Sequence, residues 1–169
     1  AALAVTALKV MDSEGAFTDE VIKQGIARMR WQGRMETVLP GVIIDGAHNE
    51  AGVEEFVRTA KRLEGDEPVT LLFAAVGDKD YRHMIEKICR ELRTDQVIVT
   101  EVGGYRAVDA KEPAALFKEY GSARITVCPD VEEAFSTALA KKGGGILFCV
   151  GSLYLVGSIK SILRRTAHD

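Results

Sequence analysis

The chain has 169 residues, 47% of them hydrophobic and 28% charged, with a formal net charge of -3. That is an ordinary globular composition, long enough to bury one sizeable core, and its mild acidity argues against a broad footprint on a nucleic-acid backbone. No apolar stretch approaches the roughly 20 residues that span a bilayer, so neither nucleic acid nor a membrane is expected as a partner.

The opening AALAVTALKVM is apolar, but it has no basic segment before it and no cleavage signal after it. It starts mid-helix without a methionine and reads as a cut inside a longer protein. Its positions Ala2, Val5, Leu8 and Val10 suit a helix that packs on something else. Thr18-Asp19-Glu20, followed by Val21, Ile22 and Ile26, predicts a short helix with an acidic first turn. Val42 to Ile44, Val69 to Val76, Gln96 to Thr100, Ile125 to Cys128 and Gly145 to Val150 are short apolar runs of strand length, and Met35 to Leu39 is a weaker sixth. Between them lie stripes of helical period: Val53, Phe56, Val57 and Ala60; Met84, Ile85, Ile88, Cys89 and Leu92; Val131, Ala134, Phe135, Ala138 and Leu139; Leu155, Val156, Ile159, Ile162 and Leu163. Strands apolar throughout, alternating with amphipathic helices, predict an α/β, Rossmann-like fold. Its sheet is mostly parallel, five- or six-stranded, with helices on both faces. Cys89, Cys128 and Cys149 are odd in number, far apart and in apolar settings. They read as reduced core thiols of a cytoplasmic protein rather than disulfides or metal ligands.

In open α/β sheets ligands sit beyond the carboxyl ends of the strands. Those ends read Asp45-Gly46-Ala47-His48-Asn49, Gly77-Asp78-Lys79-Asp80, Thr100-Glu101, Pro129-Asp130 and Gly151-Ser152. Asp, Asn, Ser and Gly also serve as caps and turn formers, and taken singly Asn49 and Asp130 read as N-caps. Asp45 differs: it stands at the strand end, several residues before the next helix, where a carboxylate would accept from ligand hydroxyls. His48, by a helix start, reads either as a polar loop residue or as an extra donor beside an anion-attracting helix N-terminus. His83 and His168 have no partner at metal-ligand spacing, so no metal is expected on this chain alone. There is no G-x-S-x-G elbow, no G-x-x-x-x-G-K-[ST] phosphate loop and no G-x-G-x-x-G after a strand. On these residues alone, the chain is an α/β domain with a polar ligand rim. It could be part of an enzyme, a free-standing nucleotide- or anion-binding module, or a structural domain whose rim residues are caps.

Trp31-Gln32-Gly33-Arg34-Met35-Glu36, Asp45-Gly46-Ala47-His48-Asn49, Asp78-Lys79-Asp80 and Gly151-Ser152-Leu153-Tyr154-Leu155-Val156-Gly157, in that order, resemble the C-terminal domain of folylpolyglutamate synthase / dihydrofolate synthase, a branch of the Mur ligase superfamily. Residues 31–169 carry this resemblance. Residues 1–30 resemble the last helix of the family's central ATPase domain and the linker after it. Gln32 departs from the pattern, since many relatives have proline there.

The resemblance implies an ATP-dependent ligase that activates a folate or dihydropteroate carboxylate as an acyl phosphate and joins L-glutamate to it. Arg34 and Asp45 match residues that hold the adenosine part of ATP; a guanidinium and a ribose-binding carboxylate suit that task. His48 and Ser152 match residues lining the glutamate site. Asn49 is a further candidate there, as is Lys79, for which a solvated turn lysine is the ordinary alternative. The phosphate loop and the Mg2+ ligands belong to the family's central domain, so this chain alone is expected to be inactive.

Overall fold

The computed structural model describes residues 2–29, 31–104 and 106–166, which form two compact units, Ala1–Gln32 and Gly33–Asp169. The first holds α1 (Ala2–Met11) and α2 (Asp19–Arg28). The Thr18 hydroxyl accepts the Val21 N–H at 3.3 Å, so the expected acidic helix start is capped as well. Ile22 is the only buried hydrophobic side chain described in this unit.

The second unit runs β1 (Glu36–Leu39), β2 (Val42–Ile44), α3 (Glu50–Leu63), β3 (Val69–Phe73), α4 (Tyr81–Glu91), β4 (Gln96–Val99), α5 (Lys111–Tyr120), β5 (Arg124–Val127), α6 (Val131–Lys142), β6 (Ile146–Val150) and α7 (Leu153–Thr166). The strands form one six-stranded sheet in the order β1-β2-β6-β3-β4-β5. β1 runs antiparallel to β2, and the other neighbours are parallel. The weak sixth run is therefore a strand, one residue shorter than expected.

The strands are apolar throughout because both faces are covered. Ile43, Leu71, Phe73, Val97, Val99 and Phe148 pack with residues of α3, α4 and α5. Their alternates Val42, Ile44, Leu72, Ile98, Leu147 and Cys149 pack with α6 and α7. Edge-to-face ring pairs brace the first layer: Phe56 on Phe148 at 5.6 Å, and Phe73 on Phe117 at 5.2 Å. Phe117 belongs to α5, the helix for which the sequence shows no clear stripe. It is short, has no side-chain N-cap bond, and carries Pro113 in its first turn, where a missing N–H costs nothing.

The chain order places the site. After β2, β3 and β4 the chain moves outward through α3, α4 and α5 on one face. It then returns through α6 on the other face, inserts β6 between β2 and β3, and leaves along α7. Next to β6 the connecting helices diverge to opposite sides, and in open α/β sheets such a switch point is where a ligand crevice lies, beyond the carboxyl ends of β2, β6 and β3. Gly151 makes the exit from β6, at φ +109°. A Cβ there would come within 2.5 Å of the Ala74 carbonyl oxygen and 2.7 Å of the Phe73 ring. Gly151→Ala should therefore lower stability by at least about 2 kcal/mol in urea unfolding. An unchanged midpoint would show that this strand exit is not rigid.

Candidate functional site

The first wall of the crevice is the turn entering β1. The Gly33 N–H donates to Glu36 Oε2 at 2.6 Å, and the Gly33 carbonyl accepts from the Gly46 N–H at 2.7 Å. The Met35 N–H donates to Asp45 Oδ2 at 2.8 Å. Gly33 sits at φ +66°, and Met35, a non-glycine residue, at φ +42°. A left-handed methionine costs about 1–3 kcal/mol and persists only where its surroundings hold it. Those surroundings are close: a Cβ on Gly33 would meet Val156, and one on Gly46 would run into Leu153, both on α7. The glycines of the two motifs are thus what lets α7 lie against this turn. Between them the Arg34 side chain is exposed.

Asp45 is buried, at 5% exposure. Its second oxygen, Oδ1, accepts the Ala47 N–H at 2.8 Å. Burial is the largest influence on this carboxyl and pushes its pKa up, outweighing the two backbone donors and the Arg34 charge that favour ionisation. The sequence places Asp45 correctly at the strand end, but its carboxylate also closes two backbone loops.

The neighbouring strand ends are joined directly. The Asp45 N–H donates to the Cys149 carbonyl at 2.9 Å, and the Gly151 N–H to the Ala47 carbonyl at 3.1 Å. His48 and Ser152 each follow immediately after that second bond, so the β2 and β6 ends bring them to the same stretch of rim. His48 Nδ1 lies 2.7 Å from the Gly46 carbonyl oxygen. A carbonyl only accepts, so Nδ1 carries the proton, and Nε2 is an acceptor in the neutral ring and a donor only when protonated. Ser152 is 1% exposed, and its hydroxyl oxygen accepts the Tyr154 N–H at 3.1 Å, capping α7.

The cap readings hold where they were expected. Asn49 Oδ1 accepts the Gly52 N–H at 2.8 Å and starts α3. Asp130 accepts the Glu133 N–H at 2.8 Å and starts α6. Asp80 caps α4, with its other oxygen 2.5 Å from His83 Nδ1. Lys79 is half-buried, with its ammonium 3.8 Å from Asp78. His168 lies outside the described residues. Among the described residues no three or more His, Cys, Asp or Glu side chains gather as a metal cluster.

Two features escape a linear reading. Arg106, on the loop between β4 and α5, donates to Asp78 Oδ2 at 2.9 Å and to the Tyr154 hydroxyl at 2.6 Å, and lies 5.6 Å from the centre of the Tyr154 ring. Its loop is tied to the end of β3 by the Gly77 N–H on the Arg106 carbonyl at 3.0 Å. No motif surrounds Arg106; its partners Asp78 and Tyr154 stood out in the sequence, but nothing there pairs them with it. The second feature is Lys160 of α7, which reaches both oxygens of Glu36 at 2.9 and 3.0 Å across 124 residues. Burial raises the Glu36 pKa, but the Gly33 N–H and Lys160 together outweigh it and hold the carboxyl below its ordinary 4.5. The cysteines have the opposite character. Burial pushes Cys89 to about 11 and also raises Cys128 and Cys149, so at neutral pH none of the three is a thiolate nucleophile.

Residues 33–153 match the family described as Mur ligase, glutamate ligase domain. The chain belongs to that family. Over 97% of its length it is 30% identical to the dihydrofolate synthase/folylpolyglutamate synthase of Bacillus subtilis, of which it covers 38%. The Escherichia coli FolC structure in complex with DHPP and ADP shares the fold, with a TM-score of 0.85 over 97% of this chain and 38% of that one, at 22% identity. A bifunctional folylpolyglutamate synthase/dihydrofolate synthase from Yersinia pestis, complexed with AMPPNP and Mn ion, is 26% identical. It has a TM-score of 0.76 over 96% of this chain and 38% of that one. The chain thus spans well under half the length of the relatives it matches, and the resemblance carried by its motifs extends over the whole described fold.

Two measurements on this ligase domain test the geometry. Asp45→Ala leaves the Met35 and Ala47 N–H groups without their acceptor and should cost about 2–4 kcal/mol in urea unfolding. An unchanged stability would mean that the two loops close without it. Glu36 gives a pH signature. Its pKa is depressed in the folded state, so its stabilising contribution is full above 4.5 and is lost as pH falls through the lower folded value. The stability difference between the native chain and Glu36→Gln should accordingly shrink as the pH is lowered from 5 toward 3 (roughly the window of a carboxylate depressed from its usual value). A difference that stays constant over that range would contradict the assignment.

Proposed function

We propose that this chain is the C-terminal domain of a cytoplasmic, ATP-dependent ligase that adds L-glutamate to a folate, to dihydropteroate, or to both. The observation that carries the reading is a backbone bond. In a domain of the glutamate ligase family, the Ala47–Gly151 hydrogen bond joins the strand ends immediately before His48 and Ser152, and Asp45 of the same stretch holds the turn that carries Arg34.

In this reaction the acceptor carboxylate attacks the terminal phosphorus of ATP and releases ADP. The glutamate amine then attacks the acyl phosphate carbon, and phosphate leaves as the amide forms. The first step needs a nucleotide held by its adenosine end. Arg34 supplies an exposed planar cation, and each Asp45 oxygen, with one backbone donor, keeps a second lone pair for a ribose hydroxyl. The second step needs glutamate oriented by its charged ends. His48 Nε2 suits an ammonium, while the Ser152 hydroxyl proton and the Asn49 amide N–H2, neither used in their caps, suit a carboxylate. Lys79 adds a cation on the β3 side.

The remaining parts are assigned to a covalently linked central ATPase domain, with residues 1–30 as its last helix and linker. Leu3, Val10 and Met11 of α1 are 88%, 81% and 79% exposed, which is the surface of a helix that expects a neighbour. Phosphate contacts and Mg2+ would come from that domain. The cytoplasmic assignment is supported by three free cysteines. The chain alone is accordingly expected to bind ATP weakly and to turn nothing over.

The test uses the full-length protein, assayed with both folate and pteroate acceptors. Arg34→Ala should raise the KM for ATP about ten-fold while moving that for glutamate less than about two-fold, and Ser152→Ala should do the reverse. Equal effects on both substrates, or none, would contradict the division of the rim into a nucleotide side and a glutamate side.

A further inference from the structure

The Arg34 peptide is held on both sides. Before it, the Gly33 N–H is bonded to Glu36 and the Gly33 carbonyl to Gly46; after it, the Met35 N–H is bonded to Asp45. Both flanking residues have positive φ, so the turn is a conformation that its bonds impose rather than one it would choose. Asp45 and Gly46 belong to the β2 end. Glu36 is different, because its carboxylate is anchored from outside the turn by Lys160, two helical turns along α7 from the Ser152 cap. The pair is mostly shielded, with side-chain exposures of 20% for Lys160 and 27% for Glu36, so water screens it only partly.

We infer that Glu36 and Lys160 are positioning residues: their ion pair fixes the backbone on which Arg34 is carried and references it to the same helix that begins at Ser152. The inference rests on the assignment of Arg34 to the nucleotide. In this arrangement α7 is the common ruler of the rim. One end sets Ser152 and Tyr154, and two turns later its ammonium sets the opposite wall. A half-shielded carboxylate that had to satisfy only the Gly33 N–H would serve the turn without a lysine. The lysine adds direction, because it holds both carboxylate oxygens and so leaves Oε2 one orientation toward Gly33.

In the full-length protein, Lys160→Met should raise the KM for ATP about ten-fold and leave that for glutamate within about two-fold, while Lys160→Arg, which keeps the cation, should stay near the native value. Amide exchange over residues 33–36 should quicken in Lys160→Met and not in Lys160→Arg. The deciding comparison is the double variant: in an Arg34→Ala background, Lys160→Met should have little further effect on ATP, because it acts through Arg34. If Lys160→Met folds poorly, Glu36→Gln keeps an acceptor for Gly33, removes the charge, and should show the same split. A lowered melting temperature with an unchanged KM for ATP, or effects of Lys160→Met and Arg34→Ala that add in full, would overturn the inference. An Arg34→Ala variant with a native KM for ATP would overturn the nucleotide assignment instead.

Discussion

Asp45 places one carboxylate oxygen on the Met35 N–H and the other on the Ala47 N–H, and it does so almost without water. Everything at the rim is downstream of that contact. It sets the turn that carries Arg34, and it leads the chain from β2 past the Cys149 and Gly151 backbone groups of β6 before α3 begins. A buried carboxylate is costly unless its oxygens are hydrogen-bonded, and here both are. The same burial sharpens any contact it makes, because a charge in a poorly screened place interacts more strongly with a ligand donor than one in open water.

The sheet order explains why this carboxylate has something to work with. β6 is the last strand in sequence but lies between β2 and β3, so residues about a hundred apart in the chain, His48 and Ser152, end up on adjacent strand exits. Three glycines permit the close fit: Gly33 and Gly46 against α7, and Gly151 against Phe73 and Ala74. The motifs W-x-G-R-x-E, D-G-A-H-N and G-S-L-Y-L-V-G are therefore parts of one packed corner. Much of what they encode is structural, and Arg34, His48 Nε2 and the Ser152 hydroxyl are the groups of that corner proposed to meet the ligands.

The sequence was most readable where periodicity is strict. The six strands follow from runs such as GILFCV and VTLLFAAV, whose apolar character reflects coverage on both faces, although the second is a strand only as far as Phe73, three residues short of the expected end. α5 was missed because ten residues with a proline in the first turn carry little stripe, and its stability comes from Phe117 packing on Phe73. At the rim, strand-end logic located Asp45, His48 and Ser152, and cap chemistry accounted for Asn49 and Asp130. What no local pattern reveals is pairing over distance. Lys160, which joins Glu36, and Arg106, which joins Asp78 and Tyr154, are ordinary basic residues in the sequence until the fold brings them to these motif positions.

On the proposal above, the rim beyond β2 and β6 is this domain's half of a nucleotide and glutamate site. A crystal structure of the full-length protein with AMPPNP, a divalent cation and glutamate tests it most directly. The account predicts the nucleotide within hydrogen-bond distance of Arg34 and Asp45, and glutamate on the side of His48 and Ser152. A nucleotide and a glutamate bound without touching any of these four residues would contradict it.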